Sequence, residues 1–153
     1  MPQSHKVSIQ NRQARHEYHI LETFEAGIAL SGTEVKSVRA GGVNLKEAYC
    51  AVENGQLMIK QMHISPYEKG NVFNKDPVRP RVLLMHRSEI RKLAAQVGQK
   101  GLTIVPLAVY SKERLIKVSI GLCRGKRLHD KREDAARRDA ARDMQRAVKE
   151  RNL

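Results

Sequence analysis

The chain has 153 residues, 41% of them apolar, with no Trp, four Tyr and two Phe, which suits one domain with a tail and a modest core of Val, Leu, Ile and Met. A formal net charge of +13 calls for a polyanionic partner to offset the self-repulsion it imposes. No apolar run approaches the roughly 20 residues of a membrane span, no strongly amphipathic helix suggests a membrane surface, and Met1–Arg15 lacks the apolar stretch of a secretory signal, so a cytoplasmic location is expected.

Both ends of the chain contribute to the basic excess. Residues 124–153 hold eleven Lys/Arg against six Asp/Glu, and residues 1–123 keep a net charge of +8. Cys50 and Cys123 are far apart, form no CxxC and adjoin no His ligand pattern, which predicts two reduced, semi-buried thiols.

In chain order, residues 1–15 read as a flexible basic arm. His16 to Glu22 looks extended, with Tyr18 and Ile20 alternating with polar neighbours. Phe24 to Leu30 continues the apolar pattern, with Gly27 as a break. Thr33 to Arg39 predicts a short helix closed by Ala40-Gly41-Gly42. Glu47 to Val52 and Gln56 to Met62 are two strand-like runs around Asn54-Gly55, a strong short-range hairpin signal. Ser65 to Arg81 carries Pro66, Pro77 and Pro80 and reads as a surface loop. Ser88 is a good N-cap for a helix with Ile90, Leu93, Ala94 and Val97 on one face, ended by Gly98 and Gly101. Leu102 to Tyr110 and Leu115 to Leu122 are β-rich and joined by a turn at Ser111–Arg114.

Several short strands with few helices predict a mainly β fold with flanking helices, a small, partly open barrel of the oligonucleotide-binding type. Beyond Arg124 the pattern changes. Asp134 to Leu153 has high helix propensity but a thin apolar stripe of Ala136, Ala140, Met144 and Val148. A tail that is frayed when free and helical on a partner follows.

No catalytic set emerges. The chain has no Gly-rich phosphate loop, no HExxH and no GxSxG. Its histidines (His5, His16, His19, His63, His86 and His129) are scattered, and the extended reading puts His16 and His19 on opposite faces, so no metal site is expected. Glu22 and Glu25 read as surface charges or hydrogen-bond acceptors before a general acid–base couple. The expectation is a binding protein rather than an enzyme, without a cofactor.

Several runs carry a resemblance: Asn11-Arg12-Gln13-Ala14-Arg15-His16-Glu17-Tyr18, Phe24-Glu25-Ala26-Gly27, Gly32-Thr33-Glu34-Val35-Lys36-Ser37-Val38-Arg39-Ala40-Gly41, His63-Ile64-Ser65-Pro66-Tyr67, the Asp76-Pro77 segment with Arg79 and Arg81, and Gly125-Lys126-Arg127-Leu128-His129-Asp130-Lys131-Arg132. In order over roughly residues 10–140, they resemble the small protein B family, the SsrA-binding partners of transfer-messenger RNA. The resemblance implies a six-stranded antiparallel barrel of the oligonucleotide-binding type with a basic C-terminal tail. It also implies an RNA-binding domain over 16–123 and a tail over 124–153 that is helical on the ribosome.

The function so implied is an adaptor of trans-translation. It binds the tRNA-like domain of transfer-messenger RNA and enters stalled 70S ribosomes, with its tail in the vacant message channel against small-subunit RNA. Elongation factor Tu and alanyl-tRNA synthetase would share the complex or pathway. Carried over by motif, the RNA-binding residues are Asn11, Arg12, Arg15, Glu25, Leu84, Lys117 and Lys126. The tail residues for the decoding centre are Gly125, Arg127, His129, Asp130, Lys131 and Arg132. Arg124 and Arg127 stand where the family often has Lys, which keeps the charge but substitutes a planar fork for a point charge. Val82 stands where relatives can carry a basic residue, so a phosphate contact at this position is not expected. Two other readings are a generic ribosomal or single-strand-binding barrel, which the few aromatics (Tyr18, Phe24, Tyr49, Tyr67, Phe73, Tyr110) disfavour, and an RNA-modifying enzyme, which lacks a catalytic set.

Overall fold

The computed structural model describes residues 6–125, with 70–72 described in backbone only. Of the tail expected over 124–153, Arg124 and Gly125 are the last residues of β9, and the rest, including Lys126, Arg127, His129, Asp130, Lys131 and Arg132, lies outside the described residues. Nine strands and three α-helices follow in the order β1 (Ser8–Gln10), α1 (Arg12–Glu17), β2 (Tyr18–Ile28), α2 (Gly32–Arg39), β3 (Val43–Asn44), β4 (Tyr49–Glu53), β5 (Gln56–Lys60), β6 (His63–Ile64), β7 (Arg81–Leu84), α3 (Arg87–Lys100), β8 (Thr103–Lys112) and β9 (Leu115–Gly125). A 3₁₀ turn, Glu68–Phe73, precedes β7.

Six strands pair antiparallel in a closed ring, β8–β4–β5–β7–β2–β9 and back to β8. β1 adds to the free part of the β8 edge, pairing Ser8 with Tyr110. The fold is therefore mainly β with a few helices, and the ring has the six antiparallel strands expected. Alternate residues point inward along each strand. Leu57, Ile59, Leu83, Ile104, Val109, Val118 and Ile120 fill the interior, joined by Val38 of α2 and Ile90 and Leu93 of α3. The Asn54-Gly55 hairpin forms as read, with both residues at positive φ, as a turn matching the strand twist demands.

Four local readings differ from the structure. First, residues 8–17 form β1 and α1 instead of belonging to an arm and an extended start. Asn11 caps α1 by accepting from the Ala14 amide, and Ala14 is buried against Val105, Leu107 and Cys123 in a small outer core. That tertiary support outweighs weak local propensity. Second, Gly27 does not break β2, which runs on to Ile28. Third, α3 begins at Arg87 with His86 at the N-cap position, passes through Gly98 and stops at Gly101, whose left-handed φ ends the helix. Fourth, the predicted turn at Ser111–Arg114 narrows to Glu113-Arg114, because β8 extends to Lys112.

The proline-rich segment before β7 is held by charge. Arg81 is 1% exposed, and its Nε donates to Glu34 Oε2 at 2.6 Å while its other nitrogens donate to the Met62 and Pro77 carbonyls. Arg79 donates to both Glu34 oxygens. Glu34 also completes a capping box with Ser31, accepting from the Ser31 amide at 3.0 Å. Both thiols are buried and unpaired, and burial pushes the Cys123 thiol up to about 11 and the Cys50 thiol higher still.

Burial alone would raise the Glu34 carboxyl, but the hydrogen bonds from Arg79, the Ser31 amide and Arg81 hold it at about 2, below its ordinary 4.5. A folded value below the unfolded one gives stability that is complete above 4.5 and lost as pH falls toward 2. Glu34→Gln should therefore destabilise the protein by about 3–5 kcal/mol at neutral pH. The gap from the unsubstituted protein should shrink to nothing in urea titrations carried down to about pH 2. A gap that stays constant with pH would assign the loss to packing.

Candidate nucleic-acid interface

Outward positions on four adjacent strands line up in one row. Gly27 of β2 pairs with Leu84 of β7 on one side and Lys117 of β9 on the other, and Lys117 pairs with Tyr110 of β8. At about 4.8 Å between strands, the row Leu84–Gly27–Lys117–Tyr110 spans roughly 14 Å. Glu25 stands on the same face, two residues before Gly27. Leu84 is 57% exposed, although its neighbour Leu83 lies in the core. Three residues expected to bind RNA, Glu25, Leu84 and Lys117, are thus brought together on one face.

Gly27 has a steric role in the row. A Cβ there would stand 3.3 Å from Leu84 Cβ, tighter than ordinary contact, so glycine lets Leu84 lie flat over β2. Leu84 and Lys117 also line one cleft of about 230 Å³ with Val35, Arg114 and Leu115. Arg39 ties its far wall in place, donating from Nη2 to the Arg114 carbonyl at 2.9 Å.

Glu25 is held by two residues of β8. The Tyr110 hydroxyl donates to its Oε2, and Lys112 Nζ lies 3.2 Å from Oε1. The Tyr110 bond, then the Lys112 bond, lowers the Glu25 carboxyl below its ordinary value. In turn, burial and the Glu25 bond push the Tyr110 hydroxyl up to about 12. A carboxylate fixed this way is an acceptor with a set direction. It can take a hydrogen bond from a base amino group or a 2′-hydroxyl while Lys117 and Lys112 face phosphate. Glu22, by contrast, meets Lys92 of α3 at 3.6 Å and stands away from this face.

The other expected residues lie elsewhere. Tyr18, the residue after α1, pairs with Gly125. Tyr18 and Gly27 are separated by nine residues of strand, on the order of 30 Å. Arg12 and Arg15 are exposed on α1, which runs from the Asn11–Leu107 contact to Tyr18, the partner of Gly125. Asn11 is buried at 5% exposure. Its amide donates to the Pro106 carbonyl at 2.8 Å and to the Leu45 carbonyl at 3.3 Å, while its oxygen caps α1. Through these bonds Asn11 positions α1 against the β8 bulge. His16 lies in α1 and His19 in β2, and the described residues hold no group of His, Cys, Asp or Glu suited to a metal.

Tyr110, Lys112, Gly27 and Arg114 were not singled out from sequence as site residues. Tyr110 and Lys112 lie in β8, Gly27 in β2 and Arg114 in the β8–β9 turn, and nothing local in the sequence groups them. The Tyr110–Glu25 contact joins residues 85 apart, which no local pattern reveals.

The SmpB protein family model matches residues 8–150. The SsrA-binding protein of Microcystis aeruginosa is 61% identical over 94% of this chain and 94% of its own length. That of Moorella thermoacetica is 60% identical over 95% of each, and that of Acetivibrio thermocellus 59% over 95% and 94%. A chain solved under the description "tmRNA-SmpB: a journey to the center of the bacterial ribosome" superposes with a TM-score of 0.67. It is 52% identical and covers 82% of this chain and 92% of that one.

Tyr110→Phe removes the largest influence on Glu25, so the Glu25 carboxyl should titrate at higher pH, nearer its ordinary value. Carboxyl-carbon NMR titration reads this directly, and an unmoved resonance would leave Lys112 as the group that holds Glu25.

Proposed function

The chain belongs to the SmpB protein family, and on that premise we propose that it is an RNA-binding adaptor of trans-translation that takes the tRNA-like domain of transfer-messenger RNA into stalled ribosomes. The observation that carries this reading is the convergence of Glu25, Leu84 and Lys117 around Gly27 on one outward face. A rigid acceptor, an apolar platform and a cation side by side suit a folded RNA recognised by shape, phosphate and 2′-hydroxyl. The ring of six strands is read as a barrel of the oligonucleotide-binding type, with this face as its ligand surface. A net charge of +13 adds the sequence-independent attraction to phosphate.

The names carried by relatives support transfer-messenger RNA and the ribosome as partners. Within the proposal, residues 124–153 are the basic tail. Gly125, Arg127, His129, Asp130, Lys131 and Arg132 act in the vacant message channel near the decoding centre, and Lys126 at its root faces RNA. Arg12 and Arg15 would add phosphate contacts at the α1 end. Elongation factor Tu and alanyl-tRNA synthetase belong to the same cycle. Peptidyl transfer stays with the ribosome, so the chain acts by binding. The setting is the cytoplasm, and no helix among the described residues is long and apolar enough to cross a membrane.

Competition at near-physiological salt tests the reading. Labelled transfer-messenger RNA should be displaced by its tRNA-like fragment at least tenfold more readily, about 1.4 kcal/mol, than by bulk tRNA or single-stranded RNA of equal length. Equal displacement by all three would leave a nonspecific basic binder. Lys117→Ala should weaken binding and reduce the slope of log affinity against log salt by roughly one unit. Replacing Asp130, Lys131 and Arg132 together by Ala should leave RNA affinity within a few-fold and abolish peptide tagging on stalled ribosomes. A tenfold loss of RNA affinity would contradict that division.

A further inference from the structure

A second cleft, of about 520 Å³, opens on the other side of α2. Lys36 of α2, Lys69, Lys75, Tyr67 and Phe73 line it, and no acidic residue does. Among the described residues none of its three lysines makes an ion pair. Lys36 stands over the Tyr67 ring, 5.6 Å from its centroid. Phe73 is 74% exposed, the most exposed large apolar side chain among the described residues.

The loop that presents these rings is fixed by polar bonds. The Asn74 side chain accepts from the Tyr67 amide at 2.9 Å and donates to the Tyr67 carbonyl at 2.9 Å, closing the two ends of the 3₁₀ turn on each other. Thr33 of α2 donates to the Phe73 carbonyl at 3.2 Å. An exposed phenyl ring alone is ordinary on a protein surface. A phenyl ring on a pinned turn, ringed by three cations without acidic partners, matches the combination that single-stranded nucleic acid requires: a stacking plane with phosphate contacts around it. The N-terminus of α2 plays no part, since Ser31 and Glu34 already occupy it through the capping box.

The two clefts share α2 as a common wall. Val35 lines the Leu84–Lys117 cleft, and Lys36, the next residue, lines this one. Building on the RNA-binding reading, we propose that this cleft takes an unpaired nucleotide of the same RNA, its base against Phe73 and its flanking phosphates at Lys36, Lys69 and Lys75. The RNA then follows the surface around α2, from the Leu84–Gly27–Lys117 row to the Phe73 ring. The two contacts differ in kind: the first reads a folded shape and the second captures one splayed base.

The test uses the full chain and the tRNA-like fragment of transfer-messenger RNA, with anisotropy titrations over a potassium chloride series and a thermal melt of every variant. Phe73→Ala should weaken binding roughly 5- to 100-fold with an unchanged salt slope, because stacking is lost and no charge is removed. Phe73→Trp should bind at least as tightly as the unsubstituted chain. Phe73→Leu, which keeps an apolar side chain but no ring, should behave like the Ala variant. Lys36→Ala, Lys69→Ala and Lys75→Ala combined should flatten the salt slope by about two to three units. If folded Phe73→Ala and the triple lysine variant bind within twofold of the unsubstituted chain while Lys117→Ala binds weakly, the cleft is not an RNA site. Phe73→Leu binding as well as Phe73 would also overturn the proposal, pointing to an apolar protein contact instead of a stacked base. If Lys117→Ala also has no effect, the RNA-binding reading of the first face fails together with this one.

Discussion

The position of β7 depends on one buried carboxylate. Glu34 sits in the first turn of α2, yet its two oxygens receive both arginines of a segment 45 residues further on. Arg81 could not be buried without that acceptor and the two carbonyls that take its remaining protons. A buried ion pair gains little net stability over an apolar replacement, but it is directional in a way that apolar contact is not. Here it fixes where the proline-rich segment meets α2, and Arg81 is the first residue of β7. β7 sits between β5 and β2, so the same contact sets the register that lays Leu84 across Gly27. The two clefts on either side of α2 inherit their shape from the same anchor.

How much of this the residues disclose in one dimension varies with the range of the forces involved. The Asn54-Gly55 hairpin, α2 and α3 are legible because a turn, a cap or a stripe lies within a dozen residues. α1 is not, since its six residues are helical only through the Asn11 cap and the burial of Ala14 beneath β8. Gly27 reads as a break when its use is to admit a neighbour's side chain from another strand. Ser31 and Glu34 carry the spacing of a capping box, a signal present in the sequence that starts the helix at Gly32, one residue before Thr33.

The site divides in the same way. Glu25, Leu84 and Lys117 come from a family resemblance, and no local pattern would have joined them. The pairing that makes them neighbours runs through β2, β7 and β9, whose contacts span most of the chain. Asn11, a polar residue within a recognisable motif, also serves the fold, capping α1 and bonding two carbonyls in a way no local pattern discloses. The Arg79/Arg81 segment is similar, for both arginines of that motif are engaged with Glu34.

The ring also constrains how the protein can be made. β2 is among the first strands to leave the ribosome, and it finds one of its two neighbours only in β9, roughly 90 residues later. β8 and β9 form a local hairpin, and the circle closes only when β9 meets β2. Contacts of such separation make folding slow and nearly all-or-none, because loop closure must precede any gain from pairing. A copy whose synthesis stops before residue 115 lacks the closing strand and is left with two long unpaired edges. Such unpaired edges leave a fragment open to proteolysis or edge-to-edge aggregation.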